Sequence, residues 1–232
     1  MFSQDDMKRL VGAADMFELA SVVFAFPDKA VAEGLSSGAL QADVRACLQD
    51  AGVAPDEACL RVLDGVRDCK PDELFEELRI AYSLTFLAPG KPPVYLYESA
   101  FVHEASGRTG VATLFRSPST LDVERLMREA EVLPADYRTI PCDAMPSECA
   151  YMAHALGSAV AALQRDSGDE ATVWLGRAAG FMRAHGAAWF APFCDAAAHC
   201  GKSGVYGAFA RCMSPFMRQV GEGFSAFGEV SR

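Results

Sequence analysis

Apolar residues recur along this chain at spacings of three and four, in segments separated by prolines and glycines. This spacing places side chains on one face of an α-helix. No segment shows the sustained alternation with β-branched enrichment that is typical of a strand, and no pattern repeats at the period of a solenoid. The sequence therefore predicts an all-α fold of about eight to ten helices, organised as a single globular domain over residues 1–232.

The segment IPCDAMPSECAYMAHAL, at 140–156, predicts a loop followed by a long amphipathic helix. Its apolar stripe consists of Met145, Cys149, Met152, Leu156, Val160 and Leu163. Asp143 precedes the stripe and is a candidate N-cap, with Pro146 inside the first turn. Glu148 and Tyr151 lie on the opposite edge of the helix. This junction is a candidate either for a core anchor or for a ligand site.

Prolines, glycines and acidic residues also predict the ends of the other helices. One helix spans 5–26, Gly38 and Gly52 bracket a second, and a third follows Ser117. Pro55 and Pro71 are each predicted to be a first helical residue. The helix that follows Gly168 is predicted to end near His185 and Gly186, a further helix carries Trp189, and the C-terminal tail at 221–232 is expected to fray.

The segment APGKPPVYLYESAF, at 88–101, predicts a long irregular loop, because its three prolines and one glycine interrupt a helix. Its aromatic content leaves two interpretations open. The loop either packs back on the core or lines a groove for an apolar partner. Gly90 and Lys91 lack the surrounding glycine and hydroxyl residues of a phosphate-binding loop, which argues against nucleotide binding by that mechanism.

The composition narrows the classes of partner. A formal net charge of -10, with no block of basic residues, argues against nucleic acid and favours a basic partner. The first residues, MFSQDDMKRL, are acidic where a signal peptide is basic, and no apolar run reaches the roughly 20 residues that span a bilayer. Eight scattered cysteines indicate reduced core thiols. We therefore expect a soluble, cytoplasmic protein without stable membrane insertion.

No nucleophile, base and orienting group form a catalytic motif. His154 is expected to be solvated or partly packed, and His185 to cap free carbonyls or pack on the indole of Trp189. Asp143 and Glu148 could form an acid–base pair, but capping and helix-edge hydrogen bonds also explain them. One alternative is a metal site formed by four C-terminal residues, although their spacing matches no zinc finger. These four residues are Cys194, His199, Cys200 and Cys212.

Three separated segments resemble the TorD/DmsD family of redox-enzyme maturation chaperones, which includes NarJ-like assembly proteins. The first is AYSLTFLAPGKPPVYLYESAF, which is similar to the family's tyrosine, leucine-phenylalanine, glycine-proline and aromatic-Glu-Ser pattern. The matching residues are Tyr82, Phe86, Pro89, Tyr97, Glu98 and Ser99. Thr85, Ala88 and Leu96 depart from it.

The second segment resembles the family's Glu-Pro-x-Asp-His followed by a helix. Pro141, Asp143, Glu148, Tyr151 and Met152 match it, whereas Ile140 and Ala144 replace the glutamate and the histidine. No role of that histidine in client recognition carries over. The third segment, FMRAHGAAWFAPF, is similar to the family's Phe-x-x-x-His-x-x-x-Trp-x-x-x-Phe, with matches at Phe181, His185, Trp189 and Phe193.

The resemblance implies a TorD-like helical bundle and a protein that is not an enzyme. Its expected partner is the precursor of a molybdopterin-dependent, DMSO-reductase-like oxidoreductase of anaerobic respiration. The chaperone would bind the precursor's twin-arginine signal peptide, its apoprotein, or both until the cofactor is inserted and export is safe. No cofactor or metal is implied for the chaperone itself, which would be a monomer or a domain-swapped homodimer.

We expect the peptide to bind in an aromatic-lined groove with acids around it, with Phe86 and Met152 as its floor. The predicted peptide-binding residues are Phe86, Pro89, Tyr95, Tyr97, Glu98, Ser99, Asp143, Glu148, Tyr151 and Met152. Two alternatives remain open. One is an assembly subunit that binds a folded partner independently of the signal peptide, and the other is a metal- or haem-dependent helical enzyme.

Overall fold

The computed structural model describes residues 2–110 and 114–227, and within these ranges the regular secondary structure is helical, with no strand. The helices are α1 (Gln4–Val23), α2 (Lys29–Ser37), α3 (Ala39–Asp50), α4 (Glu57–Asp64), α5 (Pro71–Phe86), α6 (Glu98–Ala105), α7 (Pro118–Glu129), α8 (Met145–Gln164), α9 (Gly168–Phe181), α10 (Ala187–His199) and α11 (Val205–Phe227). A π-helical segment (Met182–Gly186) joins α9 to α10 without a break, so these eleven α-helices form ten continuous rods. The predicted all-α fold and helix number are confirmed.

Local sequence explains most helix starts. At α1, the Ser3 hydroxyl accepts a hydrogen bond from the Asp6 N–H while the Asp6 carboxylate accepts one from the Ser3 N–H, which is a complete capping box. Pro71 is the first residue of α5, as predicted. Pro55 is not the first residue of α4, because Asp56 is the N-cap and its carboxylate accepts from the N–H of Ala58 at 2.8 Å.

The prediction that Asp143 caps α8 is wrong. The N-cap of α8 is Ala144, and no side chain caps that helix. The carboxylate of Asp143 instead accepts a hydrogen bond at 2.9 Å from the N–H of Ser99, in the first turn of α6. Backbone pairing explains why the carboxylate of Asp143 reaches α6. Tyr97 and Ala144 form an antiparallel bridge that brings the start of α6 beside the start of α8.

The loop before α6 packs back on the core. Val94 and Leu96 are buried, and the Val94 N–H donates to the carbonyl of Thr85 at 3.1 Å. The irregular segment predicted for 88–101 ends at Tyr97, because residues from Glu98 onward form α6. Of the two interpretations of this loop, its apolar residues support packing on the core, while its tip remains exposed.

The α9 helix does not end near His185 and Gly186 as predicted. The chain continues through the π-helical segment into α10, and His185 lies within that segment. A π turn adds a residue to the helical spiral, so it re-aims the side chains on it relative to the flanking α-helices. Such turns are frequent at functional sites, which directs attention to His185.

The hydrophobic core forms where α1, α5, α8, α10 and α11 meet. Its centre is an aromatic cluster in which edge-to-face contacts predominate. The cluster includes Phe24, Phe86, Phe193, Tyr206 and Phe209. Phe86 stacks on Phe193 with ring centroids 5.8 Å apart, so it is a core residue.

The C-terminal helix α11 continues past Gly221 to Phe227. The frayed tail expected for 221–232 stays a prediction, and its last five residues lie outside the described ranges. Among the helices that are described, none is both long enough and apolar enough to cross a membrane.

Candidate functional site

A cluster of polar side chains is buried where the starts of α6 and α8 meet the π-helical segment. The buried polar cluster consists of Glu98, Asp143, Glu148, His185 and Trp189. Asp143 and Glu148 are both 0% exposed, and Glu98 and His185 are each 4% exposed. Burying ionised groups costs free energy unless each charge is paired or neutralised. The hydrogen bonds and protonation states of these side chains therefore determine whether the cluster is stable.

His185 bridges two carboxylates from different helices. Its Nδ1 lies 2.9 Å from Oε2 of Glu98 on α6, and its Nε2 lies 3.2 Å from Oδ2 of Asp122 on α7. Burial alone would lower the pKa of His185, but its hydrogen bonds to Glu98 and Asp122, with the charges of both, outweigh burial and raise it. Both ring nitrogens then act as donors, as an imidazolium requires.

The prediction for His185 is therefore wrong in its partners. It was expected to donate to helix carbonyls or to pack on the indole of Trp189. Its ring nitrogens face carboxylates instead, and its ring packs on Phe181 at a centroid distance of 5.1 Å. The Trp189 indole has a different partner, because its Nε1–H donates to Oε2 of Glu148 at 3.0 Å.

Glu148 is the most strongly perturbed carboxyl of the cluster. Burial raises its pKa well above the ordinary range, and the charges of Glu98 and Asp143 raise it further, against the opposing hydrogen bond from Trp189. Its second oxygen, Oε1, has no hydrogen-bond partner among the described residues. A neutral, protonated carboxyl fits this environment, because an ionised one would be left buried without a cation of its own.

The pKa of Asp143 is also raised, but less than that of Glu148. Burial raises the pKa of Asp143, although the hydrogen bond from Ser99 opposes that rise. Oδ2 accepts a hydrogen bond from the Ser99 N–H, whereas Oδ1 has no hydrogen-bond partner in the part of the chain that the structure describes. The cluster thus combines three buried carboxyls with one imidazole, and the raised pKa values of Glu148 and Asp143 favour their neutral forms, which lowers the buried negative charge.

The buried polar cluster is better suited to holding helices together than to acid–base catalysis. A general acid or base must reach the reacting group of a substrate, and Asp143 and Glu148 are fully buried. The hydrogen bonds instead tie α6 to the π-helical segment, and α8 to α10. The cluster fixes the relative positions of helices that are far apart in sequence.

The ten residues predicted to bind a peptide divide into a buried group and a surface group. The buried residues are Phe86, Glu98, Ser99, Asp143, Glu148, Tyr151 and Met152, and the surface residues are exposed Pro89 with half-buried Tyr95 and Tyr97. The structure brings Glu98, Ser99, Asp143 and Glu148 together at the buried polar cluster. Phe86 and Met152 lie in the hydrophobic core, and their role as a groove floor stays a prediction.

Sequence reasoning did not place His185, Trp189 and Asp122 in the candidate site. The signal for the first two was present, because Phe181, His185 and Trp189 recur every fourth residue and therefore lie near one helix face. Asp122 carried no such signal. It is an acid on an exposed helix, and only the tertiary fold brings it to the imidazole.

The four C-terminal residues considered for a metal do not form a site. Throughout the described ranges, no group of three or more His, Cys, Asp and Glu residues is placed to hold a metal ion. Cys194 and Cys212 are buried, and burial raises the pKa of both thiols. The Nδ1–H of His199 donates to the carbonyl of Asp195 at 2.7 Å, one turn back on its own helix.

Two features mark the surface. A cleft of about 420 Å³ lies between α7, α8 and α9, with Tyr151 and Phe181 in its wall. Three large apolar side chains are exposed at the end of α5: Ile80 (60%) and Leu84 (45%) on the helix, and Leu87 (49%) at its C-cap. Their spacing of four and three places them in one stripe.

A helical domain whose buried carboxyls and imidazole brace its helices, beside an exposed apolar stripe and a surface cleft, has the features of a binding protein. The sequence identifies which kind: the family model described as nitrate reductase delta subunit matches residues 57–195, more than half of the chain, so the protein belongs to that family. This NarJ-like family consists of chaperones for the assembly of molybdoenzymes rather than catalytic enzymes. No curated protein and no solved structure matches the chain.

Proposed function

We propose that this protein is a cytoplasmic chaperone that binds the precursor of a molybdopterin-dependent oxidoreductase, through its twin-arginine signal peptide and its apoprotein, until the cofactor is inserted. The observation that carries the proposal is the family match over 57–195, which includes the whole buried polar cluster and the loop before α6. The proposed client is of the DMSO-reductase type.

The α5 face is the surface best suited to such a peptide. We define it as Glu77, Ile80, Leu84 and Leu87, which follow one another at helical spacing and are all exposed. A twin-arginine signal peptide has a basic head and an apolar helical body. Glu77 can pair with the head while the three apolar residues cover the body, as an amphipathic helix does in a groove.

The α5 face is continuous with the loop that carries the surface residues predicted to bind the peptide. Leu87 is the C-cap that follows Phe86, and Pro89, Tyr95 and Tyr97 come after it in the loop. In this proposal these residues extend the contact surface. The buried residues among the ten act indirectly in this proposal. Glu98, Ser99 and Asp143 hold the start of α6 in place, directly after the loop.

The charge of the protein supports the same partner. A net charge of -10 attracts a basic peptide and raises the rate of encounter. Salt screens such attraction, so binding of the peptide should weaken as ionic strength rises.

A second candidate function has a specific observation in its favour. The α5 face is a stripe on an open helix surface rather than an enclosed groove, and a flat apolar surface also fits a folded partner. In that case the chain is an assembly subunit that binds the folded enzyme independently of any signal peptide.

Affinity capture of the tagged protein from its anaerobically grown host, with mass spectrometry of the retained proteins, tests the proposal. The expected result is enrichment of a molybdopterin oxidoreductase precursor that still carries its signal peptide. Ile80→Asp should abolish the enrichment, whereas Val62→Asp should not, because Val62 is an equally exposed apolar residue on α4. Equal enrichment with both variants would exclude the α5 face, and absence of any such precursor would overturn the chaperone proposal.

A further inference from the structure

The cleft between α7, α8 and α9 contains space that the helices themselves do not require. Gly176 and Gly180 are interior residues of α9 that line it. A Cβ built on either glycine would meet no atom within 4 Å. Glycine inside a helix costs about 1 kcal/mol relative to alanine, and here no close packing explains that cost. The volume of about 420 Å³ lies within the range of small-molecule sites.

A buried polar side chain faces this space without a partner. Tyr151 is 2% exposed and lines the cleft, with its ring against Phe181 at a centroid distance of 4.5 Å. Within the part of the chain that the structure describes, its hydroxyl makes no hydrogen bond. The hydroxyl is not among the fully buried polar atoms that lack a partner, so it is accessible from the cleft and can donate a hydrogen bond to a ligand there. This observation is independent of the glycines and gives the cleft a hydrogen-bond donor.

The two arginines of the cleft differ in their pairing. Arg125 is held by two carboxylates, at 2.7 Å from Asp122 and 2.7 Å from Glu129. Arg177 lies over the ring of Trp174 at 4.5 Å from its centroid, and no described carboxylate is within ion-pair distance of it. The guanidinium of Arg177 is therefore the positive charge that is available to a ligand.

We propose that this cleft binds a small carboxylic acid with an apolar body. The carboxylate accepts hydrogen bonds from Arg177 and Tyr151, and the body packs on Phe181 and the exposed Val173 at the rim. A single negative charge fits best, because Asp122 and Glu129 in the same wall would repel a polyanion such as a polyphosphate.

This site does not overlap the α5 face, although Tyr151, one of the ten residues predicted to bind the peptide, also lines the cleft. The α5 face contributes no residue to the cleft, and a basic peptide head would meet the free guanidinium of Arg177. The two proposals therefore fail or succeed independently.

The probes are phenylacetate and 4-methylpentanoate, each compared with its uncharged amide of the same shape. The protein contains two tryptophans, and Trp174 lies directly under Arg177, so ligand binding to Arg177 should change tryptophan fluorescence. Two-dimensional NMR provides a second readout. At least one acid should bind saturably below about 10 mM, and at least ten times more tightly than its amide, because the amide lacks the charge that pairs with Arg177.

Gly180→Leu should abolish binding by filling the cleft, and Gly157→Leu is its matched control. Gly157 lies on α8 outside the cleft, and a Cβ there also meets nothing within 4 Å. Arg177→Gln should weaken binding at least tenfold, with exposed Arg183→Gln unchanged. Saturable binding by neither acid, equal binding of acid and amide, or wild-type binding by Gly180→Leu would each overturn the proposal.

Discussion

At the scale of single residues, the imidazole of His185 connects the interior of the protein to its surface. One ring nitrogen faces buried Glu98, and the other faces Asp122, which is partly exposed at the wall of the cleft. Neither contact is local, because 87 and 63 residues separate the partners along the chain. The Glu98–His185 pair therefore forms only when the chain is folded, and its contribution to stability can be measured.

Removing His185 should destabilise the fold strongly, because it leaves Glu98 buried without its cation. We expect His185→Ala to lower the free energy of unfolding by about 3 kcal/mol. The double variant Glu98→Gln/His185→Ala should lose at least about 1 kcal/mol less than the two single losses added together. Urea unfolding of the four proteins measures this coupling.

The exposed pair Lys70 and Glu73 provides the control cycle, since surface ion pairs contribute little. Alanine substitutions there should be additive to within about 0.5 kcal/mol. If the Glu98 and His185 substitutions were additive as well, the two side chains would not form a pair in solution.

The raised pKa of Glu148 predicts a pH dependence with a definite sign. In the unfolded chain Glu148 ionises near its ordinary value of 4.5, whereas the folded chain retains the proton to higher pH. The folded state then binds more protons, so stability falls as pH rises above 4.5, by at most about 1.4 kcal/mol for each pH unit. Asp143 and His185, whose pKa values are also raised, contribute in the same direction.

Glu148→Gln removes this titration while keeping an oxygen that can accept from Trp189. Relative to the native protein, the variant should therefore gain stability steadily between pH 5 and pH 8, as measured by urea unfolding. Glu77→Gln removes a charge from the exposed surface of α5 and serves as the control. A stability difference for Glu148→Gln that does not change with pH would show that Glu148 is ionised in the fold.

At the scale of helices, α1 approaches the end of α3 through a glycine. A Cβ on Gly12 would lie 2.5 Å from the backbone nitrogen of Ala51 and 2.7 Å from the backbone carbon of Asp50. Backbone atoms cannot rotate away as a side chain can. Gly12→Ala should therefore cost about 1 to 3 kcal/mol by forcing the helices apart.

Gly157→Ala is the matched control for this prediction, because an added Cβ on Gly157 meets only open space. Alanine there should stabilise the protein by up to about 1 kcal/mol through helix propensity alone. Thermal unfolding of the two variants compares them directly. A neutral Gly12→Ala would contradict the close approach of α1 and α3.

The sequence predicts the helices better than it predicts the buried polar cluster, and the reason is physical. Helix existence follows from apolar periodicity and local caps such as Ser3 and Asp6, which are near each other in sequence. The local pattern around Asp143 predicted a cap on α8, the helix that follows it. Its actual partner is the N–H of Ser99 on α6, 44 residues away in sequence, which no local pattern indicates. The π-helical segment at His185 likewise has no local signal, since periodicity there resembles an ordinary helix end.

The residues of the candidate site were partly predictable for the same reason. Glu98, Asp143 and Glu148 were found through motifs that resemble the family's, and the fold brings them together. Their burial was not predicted, because whether a polar side chain faces solvent depends on which helices cover it. Asp122 and the cleft, which three separate helices form, required the tertiary structure.

At the scale of the whole molecule, an acidic helical domain of the nitrate reductase delta subunit family presents an apolar face on α5. In the proposed function, the acidic residues of the protein attract the basic head of a twin-arginine signal peptide, and the α5 face covers its apolar body. The buried polar cluster joins α6, α8, the π-helical segment and α10, and its role is to hold these helices together rather than to carry out chemistry. The signal peptide should then add most of the binding free energy of the client.

The most direct measurement is a calorimetric titration of the purified protein with the client precursor identified by affinity capture, made with and without its signal peptide. We expect saturable binding of the full precursor and at least tenfold weaker binding of the truncated one. Equal affinity for both forms would favour an assembly subunit that recognises the folded enzyme. Absence of binding to either form would contradict the chaperone account itself.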